Sequence, residues 1–141
     1  MDTLQAAILR VKLPYLKEYL TARRKAAAEY DKELKDLSDR IETPYCIPAS
    51  THVFHQYTLK VKDGQRDPLQ QYLKEKGIPT MIYYPFPLQE QPAFKYSGRI
   101  GSDLSESVKL CRSVLSLPMH TELDEEQIEY IIEQIQNYEF K

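Results

Sequence analysis

The fold is decided by residues 51–84, THVFHQYTLKVKDGQRDPLQQYLKEKGIPTMIYY. Residues 51–62 alternate between a packed odd-numbered face and a more polar even-numbered face, which predicts a strand. The next segment predicts a helix over 67–76, with Asp67 as N-cap and Pro68 in the first turn. Gly77 is expected to end this helix in a Schellman motif, followed by an extended segment over 78–84. Strand, helix and strand make a βαβ-like or split unit whose pairing stays open, so the fold class is α+β.

Upstream of this unit, the sequence predicts a long, interrupted helical segment. Leu4, Ile8 and Val11 share one face of a predicted helix over 3–13. Pro14 is expected to break or kink it, and a second helix should run from Tyr15 to about residue 37, roughly 35 Å. A helix of that length resembles a spine that joins two bodies. We therefore divide the chain into a kinked helical segment, 1–38, and a small α+β domain, 39–141.

Downstream, the pattern predicts two more helices that flank a short strand. One helix should begin at Ser102 or Asp103 and end near Cys111, and residues 114–117 should form the strand. A final helix carries a capping box, with Asp124 as N-cap and Gln127 three residues later. A further short edge strand is possible within 42–48, between prolines. The whole is a long helical spine followed by a small β-sheet packed with helices.

Composition excludes several functional classes. The 141 residues carry 19 Lys plus Arg against 21 Asp plus Glu, which gives a net charge of −2. This balance argues against a basic protein surface that binds nucleic acid or a membrane, since both need net positive charge. No apolar run reaches the roughly 20 residues that a membrane span needs, and no secretory signal is seen. Two cysteines, Cys46 and Cys111, are too few for a disulfide framework, which favours a cytoplasmic protein with reduced thiols.

Several residues invite a chemical role that their context argues against. His52 and His55 have a spacing that resembles a metal pair, but on a strand they would point to opposite faces, so we expect no metal site. His55 is expected to be hydrogen-bonded on the packed face, whereas His52 on the wetter face would be free to meet a ligand. Cys111 is expected to be a small buried thiol rather than a nucleophile. Arg23, Arg24 and Lys25 are expected to form a solvated helix face.

The segment Tyr83-Tyr84-Pro85-Phe86-Pro87-Leu88-Gln89 is the strongest candidate for binding. Loops that follow strands are common places for ligand contacts, and tyrosine offers both a ring face and a hydroxyl donor. The same large side chains would also serve for packing. On these residues alone, both interpretations stay open.

Four stretches together resemble one family, the DegT/DnrJ/EryC1/StrS group of pyridoxal-phosphate-dependent sugar aminotransferases. Each stretch is moderately specific, but their order and spacing match the C-terminal third of such enzymes over essentially the whole chain. The stretches are MDTLQAAIL at 1–9, HVFHQY at 52–57, KGIPT through YYPFPL at 76–88, and LSLPM at 115–119.

The resemblance implies a fold and a cofactor. Members of the family are aspartate-aminotransferase-like enzymes of fold type I, and their Schiff-base lysine and phosphate cup lie in a large N-terminal domain. This chain would then be the small C-terminal domain, with 1–38 linking it to an absent large domain. Pyridoxal phosphate is expected in the full-length enzyme but not on this fragment, which alone is expected to be inactive.

The resemblance carries over to few residues, and none of them is catalytic. Tyr83 and Tyr84 would line the substrate pocket, Gln5 matches a helix glutamine, and His52 belongs to the strand motif. Tyr83 and Gln89 both stand where the family more commonly has histidine, so neutral groups replace titratable ones.

The implied reaction is transfer of an amino group from glutamate to a nucleotide-linked keto-sugar, in polysaccharide or amino-sugar biosynthesis, by a homodimer. The alternative is a stand-alone α+β protein-interaction module that docks a partner through its long helix.

Overall fold

The computed structural model describes residues 1–94 and 99–141. These residues form five helices and three strands, which confirms the α+β class. In chain order the elements are α1 (Thr3–Lys12), α2 (Leu16–Glu33), β1 (Ile41–Glu42), β2 (Tyr57–Val61), α3 (Arg66–Glu75), α4 (Ser105–Ser113), β3 (Val114–Leu117) and α5 (Glu125–Gln136).

The N-terminal helices follow the predicted pattern. Asp2 caps α1 in a capping box with Gln5, and Pro14 lies in a 3-10 turn, Leu13–Tyr15, that separates α1 from α2. Because proline has no N–H to continue the helical ladder, the interruption falls where the sequence predicted it. The α-helical part of α2 ends at Glu33, and a 3-10 turn over Lys35–Leu37 completes the predicted length.

The sheet has the order β1-β2-β3, and both pairs are antiparallel. Ser116 of β3 also forms an antiparallel bridge with Met81. Strand β3 lies between β2 and the Met81 segment, and both run antiparallel to it. The predicted unit of β2, α3 and the following extended segment is therefore split, because β3 separates its two strands. The predicted strand over 78–84 is nevertheless reduced to that single bridge.

The predicted strand over 51–62 is correct only from Tyr57 onward. Tyr57, Leu59 and Val61 are buried as expected. Upstream, Phe54 has a φ of 45° and is itself buried, whereas its neighbours are exposed. The positive φ turns the chain and reverses the expected alternation, so the sequence pattern extended the strand too far.

Helix α3 ends as predicted but begins differently. Gly77 has a φ of 74°, the Ile78 N–H donates to the Leu73 carbonyl, and the Gly77 N–H donates to the Lys74 carbonyl, which together form the Schellman motif. At the other end Gln65 precedes the helix and no side chain caps it. Asp67 is therefore not the N-cap; its carboxylate accepts a hydrogen bond from the Arg66 Nε.

The last two helices differ in how well their starts were predicted. Helix α4 begins at Ser105, which is two to three residues after the predicted start. The Asp103 carboxylate accepts the Ser105 N–H at this end of the helix. Helix α5 has the predicted capping box: Asp124 Oδ1 accepts the Gln127 N–H at 2.8 Å, and Gln127 Oε1 accepts the Asp124 N–H at 3.2 Å.

The core lies between the sheet and the helices. Contacts join α2 to α5, α3 to β3 and α4 to β2. The buried apolar residues of the core come from the three strands, from α2, α3 and α5 and from the segments between them, whereas α1 and α4 contribute none: Ala26, Ala27, Tyr30, Leu34, Ile41, Phe54, Tyr57, Leu59, Val61, Leu69, Leu73, Ile78, Leu115, Leu117, Ile128, Ile131, Ile132 and Ile135. Within the described ranges, no helix combines the length and apolar content needed to cross a bilayer.

Candidate functional site

Tyr83 and Tyr84, here called the tyrosine pair, lie on the surface just beyond the Met81 bridge. The two residues are 39% and 69% exposed, and their rings stand nearly perpendicular with centroids 5.8 Å apart. The peptide bond between them is cis. Among the described residues, neither phenol forms a hydrogen bond, so both hydroxyls are available to a ligand or to a covering surface.

Two anchors hold the segment that leads to the tyrosine pair. Ile78 is 3% exposed and closes the Schellman motif of α3. Met81 exchanges two backbone hydrogen bonds with Ser116, at 2.7 and 3.1 Å. Ile82 packs against the core, while the Met81 side chain is exposed. The chain therefore leaves the sheet from a defined point two residues before Tyr83.

The proline-rich loop after the tyrosine pair contains two 3-10 turns, Leu88–Glu90 and Pro92–Phe94. Gln89 lies half-buried in the first of them. It lines a hollow of about 490 Å³ whose other walls include Arg99 and Leu104. This hollow is separate in its lining from the tyrosine pair.

His52 and His55 lie in an irregular loop and not on a strand. The His52 Nδ1 accepts the Phe54 N–H at 2.9 Å, which stabilises the turn at Phe54, while the Nε2 forms no hydrogen bond with any described residue. His55 is exposed, so its predicted place on a packed face is wrong. We excluded a metal site because the two histidines would point to opposite faces of one strand, and this reason no longer applies because they do not lie on a strand. Among the described residues, no cluster of three or more metal-ligating side chains occurs.

Arg23 and Arg24 hold this histidine loop against α2. The Arg23 Nη1 donates to the carbonyls of Phe54 and His55, at 3.3 and 3.2 Å, and the Arg24 Nε donates to the carbonyl of His52 at 3.0 Å. The predicted solvated face is confirmed for Arg24 and Lys25, which are exposed, whereas Arg23 is half-buried. What the prediction missed is that both arginines also hold the loop. Their acceptors are backbone carbonyls about thirty residues away, which a helical charge pattern does not reveal.

Gln5 lies on α1, far in sequence from the other candidates. Its backbone and side chain take part in the capping box, with Gln5 Oε1 accepting the Asp2 N–H at 3.4 Å. No residue of α1 is buried. Among the described residues, no hydrogen bond or ring contact connects Gln5, His52, Gln89 and the tyrosine pair, so the structure does not join the predicted site residues into one pocket.

An apolar groove that the sequence analysis did not identify lies where α1 meets α2. It encloses about 880 Å³ and is lined on one side by the helices and on the other by Val53, His55 and residues 120–122. Leu9 and Leu13 contribute apolar surface to it. The stripe predicted on α1, which consists of Leu4, Ile8 and Val11, does not line this groove; other apolar residues of the helical segment line it instead.

Two buried phenols in the core have shifted acidity. Burial raises the pKa of Tyr57, and its 2.6 Å hydrogen bond to the Asp31 carboxylate acts in the same direction. Burial alone raises the pKa of Tyr30, whose hydroxyl donates to the Pro118 carbonyl. Both hydroxyls are structural, because each is occupied by an internal acceptor. Arg66 is similarly internal: the residue is 7% exposed, and its guanidinium donates to the carbonyls of Cys111 and Val114.

The described lysines do not have the environment of a Schiff-base residue. A lysine that attacks a carbonyl must be neutral, which requires a desolvated or otherwise lowered amine pKa. All described lysines are exposed except Lys62, which is half-buried and donates to the Ser38 carbonyl. Hydrogen bonds to Glu125 and Glu33 raise the pKa of Lys25 and Lys32, the opposite direction. Cys111, predicted to be a buried thiol, is partly exposed.

Comparison with known proteins gives a consistent result. Residues 1–136 match the profile of the DegT/DnrJ/EryC1/StrS aminotransferase family. A pleiotropic regulatory protein of Geobacillus stearothermophilus is 45% identical over 98% of this chain and 37% of its own length. The UDP-2-acetamido-2-deoxy-3-oxo-D-glucuronate aminotransferase of Pseudomonas aeruginosa is 39% identical over 97% of this chain and 36% of its own.

The fold agrees as well. The crystal structure of S. venezuelae DesV in complex with a ketimine intermediate superposes with a TM-score of 0.88 and 32% identity, covering 96% of this chain and 36% of DesV. The chain thus spans little more than a third of the length of these relatives. Sequence and fold together show that it belongs to the DegT/DnrJ/EryC1/StrS aminotransferase family.

Proposed function

We propose that this chain is the C-terminal part of a nucleotide-sugar aminotransferase that moves an amino group from glutamate to a nucleotide-linked keto-sugar. The observation that carries the proposal is the family match over residues 1–136, combined with coverage of only 36% of the aminotransferase relative. Amino-sugar or polysaccharide biosynthesis is the metabolic setting that this reaction serves.

Within such an enzyme, the chain's own residues would bind and orient the sugar. The tyrosine pair is the best supported contact, since both rings are exposed and both hydroxyls are free of internal partners among the described residues. Gln89 and the free Nε2 of His52 are further candidates, and Gln5 is a third, because its long 3.4 Å capping bond is easily exchanged for a ligand.

Pyridoxal phosphate would supply the amino-group chemistry in the full-length enzyme. The described lysines do not fit its attachment, since all of them except the half-buried Lys62 are exposed, and Lys25 and Lys32 are held in the charged form. We therefore derive no step of the reaction from this chain and assign it no catalytic residue. Alone, it is expected to be inactive.

The domain division at residue 38 and the assembly belong to the same proposal. Within the helical segment 1–38, α1 and the turn after it have no buried residue and would connect to a larger domain, whereas the second half of α2 packs into the core of the small domain 39–141. A homodimer would complete the site. Free Cys46 and Cys111 support a cytoplasmic setting.

A second candidate is a stand-alone interaction module that uses the helical segment. Two observations favour it: α1 leaves its apolar residues uncovered, and a relative at 45% identity carries the name of a regulatory protein. The two candidates differ in what the tyrosine pair does, because only the enzyme needs it for a sugar.

The test uses the full-length polypeptide that carries this chain, with Tyr83→Phe and Tyr84→Phe as variants and Tyr45→Phe as the matched control. Tyr45 is 81% exposed and lies outside the candidate site. Loss of one phenol hydrogen bond is expected to raise KM for the keto-sugar about tenfold. Stability should change by less than about 0.5 kcal/mol, as for most surface substitutions. If both variants match the Tyr45→Phe control in KM, the tyrosine pair does not bind the sugar.

A further inference from the structure

Ser116 is an unusual residue for its place in the fold. It is 4% exposed on β3, whose other residues are the apolar Val114, Leu115 and Leu117. A buried hydroxyl without a partner is unfavourable, so such a position normally carries an apolar side chain. The Ser116 Oγ lies 2.8 Å from the Thr58 Oγ1 of β2, and this hydroxyl pair satisfies it.

The backbone of Ser116 points the other way. Its N–H donates to the Met81 carbonyl at 2.7 Å, and its carbonyl accepts the Met81 N–H at 3.1 Å. Because both backbone groups face Met81, the pairing of Ser116 with Thr58 is the non-hydrogen-bonded type, in which side chains stand closest. The hydroxyl pair therefore holds Ser116 to β2 where no backbone hydrogen bond does, and Ser116 joins three segments of the chain.

The position of the tyrosine pair depends on this junction. Among the described residues from Pro79 to Tyr84, the two bonds at Met81 are the hydrogen bonds that tie the chain to the sheet. Ile82 packs inward and Met81 points outward. A slip of one residue at Ser116 would exchange these two orientations and displace the tyrosines that follow.

We propose that Ser116 is a positioning residue for the tyrosine pair, acting through Met81 and itself held by the Thr58 hydroxyl. The inference rests on the proposed function, since it takes the tyrosine pair as a contact of the sugar. The assignment differs from a purely structural role because it predicts an effect on sugar binding without a comparable effect on turnover.

The variants separate the hydroxyl pair from general stability. Thr58→Val removes one hydroxyl at constant size, and Thr58→Ser keeps it. Ser116→Ala removes the other hydroxyl, and Thr58→Val carries the test if Ser116→Ala does not fold. The matched control is Ser113→Ala, which deletes a hydroxyl whose hydrogen bond to a described residue stays within α4, to the Lys109 carbonyl. In the full-length polypeptide that carries this chain, we would measure hydrogen exchange at the Met81 amide together with KM and kcat.

With Thr58→Val and Ser116→Ala, we expect Met81 exchange to accelerate about tenfold and KM for the keto-sugar to rise several-fold, with kcat within about twofold. Thr58→Ser and Ser113→Ala should resemble the parent protein. Unchanged Met81 exchange in folded Thr58→Val would overturn the inference. Faster exchange with unchanged KM would also overturn it, provided that Tyr84→Phe raises KM. If Tyr84→Phe leaves KM unchanged as well, the failure lies in the proposed sugar contact, and the anchoring of Met81 stands.

Discussion

Replacing Arg66 with methionine should destabilise the chain by about 3 kcal/mol, although no sequence pattern marks this arginine. Its Nη1 donates to the Cys111 carbonyl at 3.1 Å and to the Val114 carbonyl at 3.2 Å. The first is among the last carbonyls of α4, which lack intrahelical partners. The second points away from β2, since Val114 pairs with Lys60 in the non-hydrogen-bonded register of β2 and β3.

The magnitude follows from these two acceptors. A hydrogen bond from a charged donor contributes about 1.5–3 kcal/mol, and the two bonds from one nitrogen are not additive. The ion pair with Asp67 adds at most about 1 kcal/mol, because the Asp67 side chain is 75% exposed and screened by water. Methionine keeps most of the buried stem, so packing changes little. At this chain length, a loss of 3 kcal/mol lowers Tm by about 10 °C.

Urea unfolding of Arg66→Met, Arg66→Lys and Asp67→Asn measures the effect. Lysine supplies one point donor instead of a planar fork, so an intermediate loss is expected. Asp67→Asn should cost less than about 1 kcal/mol. A loss under 1 kcal/mol for Arg66→Met, or an equal loss for Asp67→Asn, would refute the assignment of Arg66 to the two carbonyls.

Two further predictions concern alkaline pH and the cofactor. Tyr30 and Tyr57 have pKa values raised above the ordinary 10, so above about pH 10 the unfolded chain loses phenol protons that the native chain keeps. The free energy of unfolding should therefore fall as pH rises, by up to about 1.4 kcal/mol per pH unit for each tyrosine, and Tyr57→Phe should reduce that slope; an unchanged slope would contradict the raised pKa. Pyridoxal phosphate added to the isolated chain should give no saturable one-to-one aldimine absorbance, because the described lysines are exposed except Lys62, whose amine donates to the Ser38 carbonyl; a single reactive lysine with saturable binding would contradict this prediction.

Local signals in the sequence predicted local structure well. The capping box at Asp124, the Schellman motif at Gly77 and the interruption at Pro14 each depend on residues within one turn of each other, and all three are present. Residues that are close in sequence determine these features, so they can be predicted without knowledge of the tertiary contacts.

Long-range contacts explain what the sequence did not predict. Alternation through residues 51–56 resembled a strand, but the His52 side chain bonds to the Phe54 N–H, and Arg23 and Arg24 hold the resulting loop from α2. Asp67 resembled an N-cap but pairs with Arg66, whose carbonyl acceptors lie 45 and 48 residues away. The groove beside α1 likewise depends on residues 120–122.

The sheet order has a consequence for synthesis on the ribosome. Strand β2 lies in the middle of the sheet, yet its partner β3 comes much later in the chain, with Thr58 and Ser116 separated by 58 residues. A nascent chain that has already emerged through β2 therefore carries the apolar Tyr57, Leu59 and Val61 without one neighbouring strand until residue 117 follows. Such an unpaired edge invites association with other chains. The edge of β2 that faces β3 therefore stays open for the time that residues 62–117 take to follow.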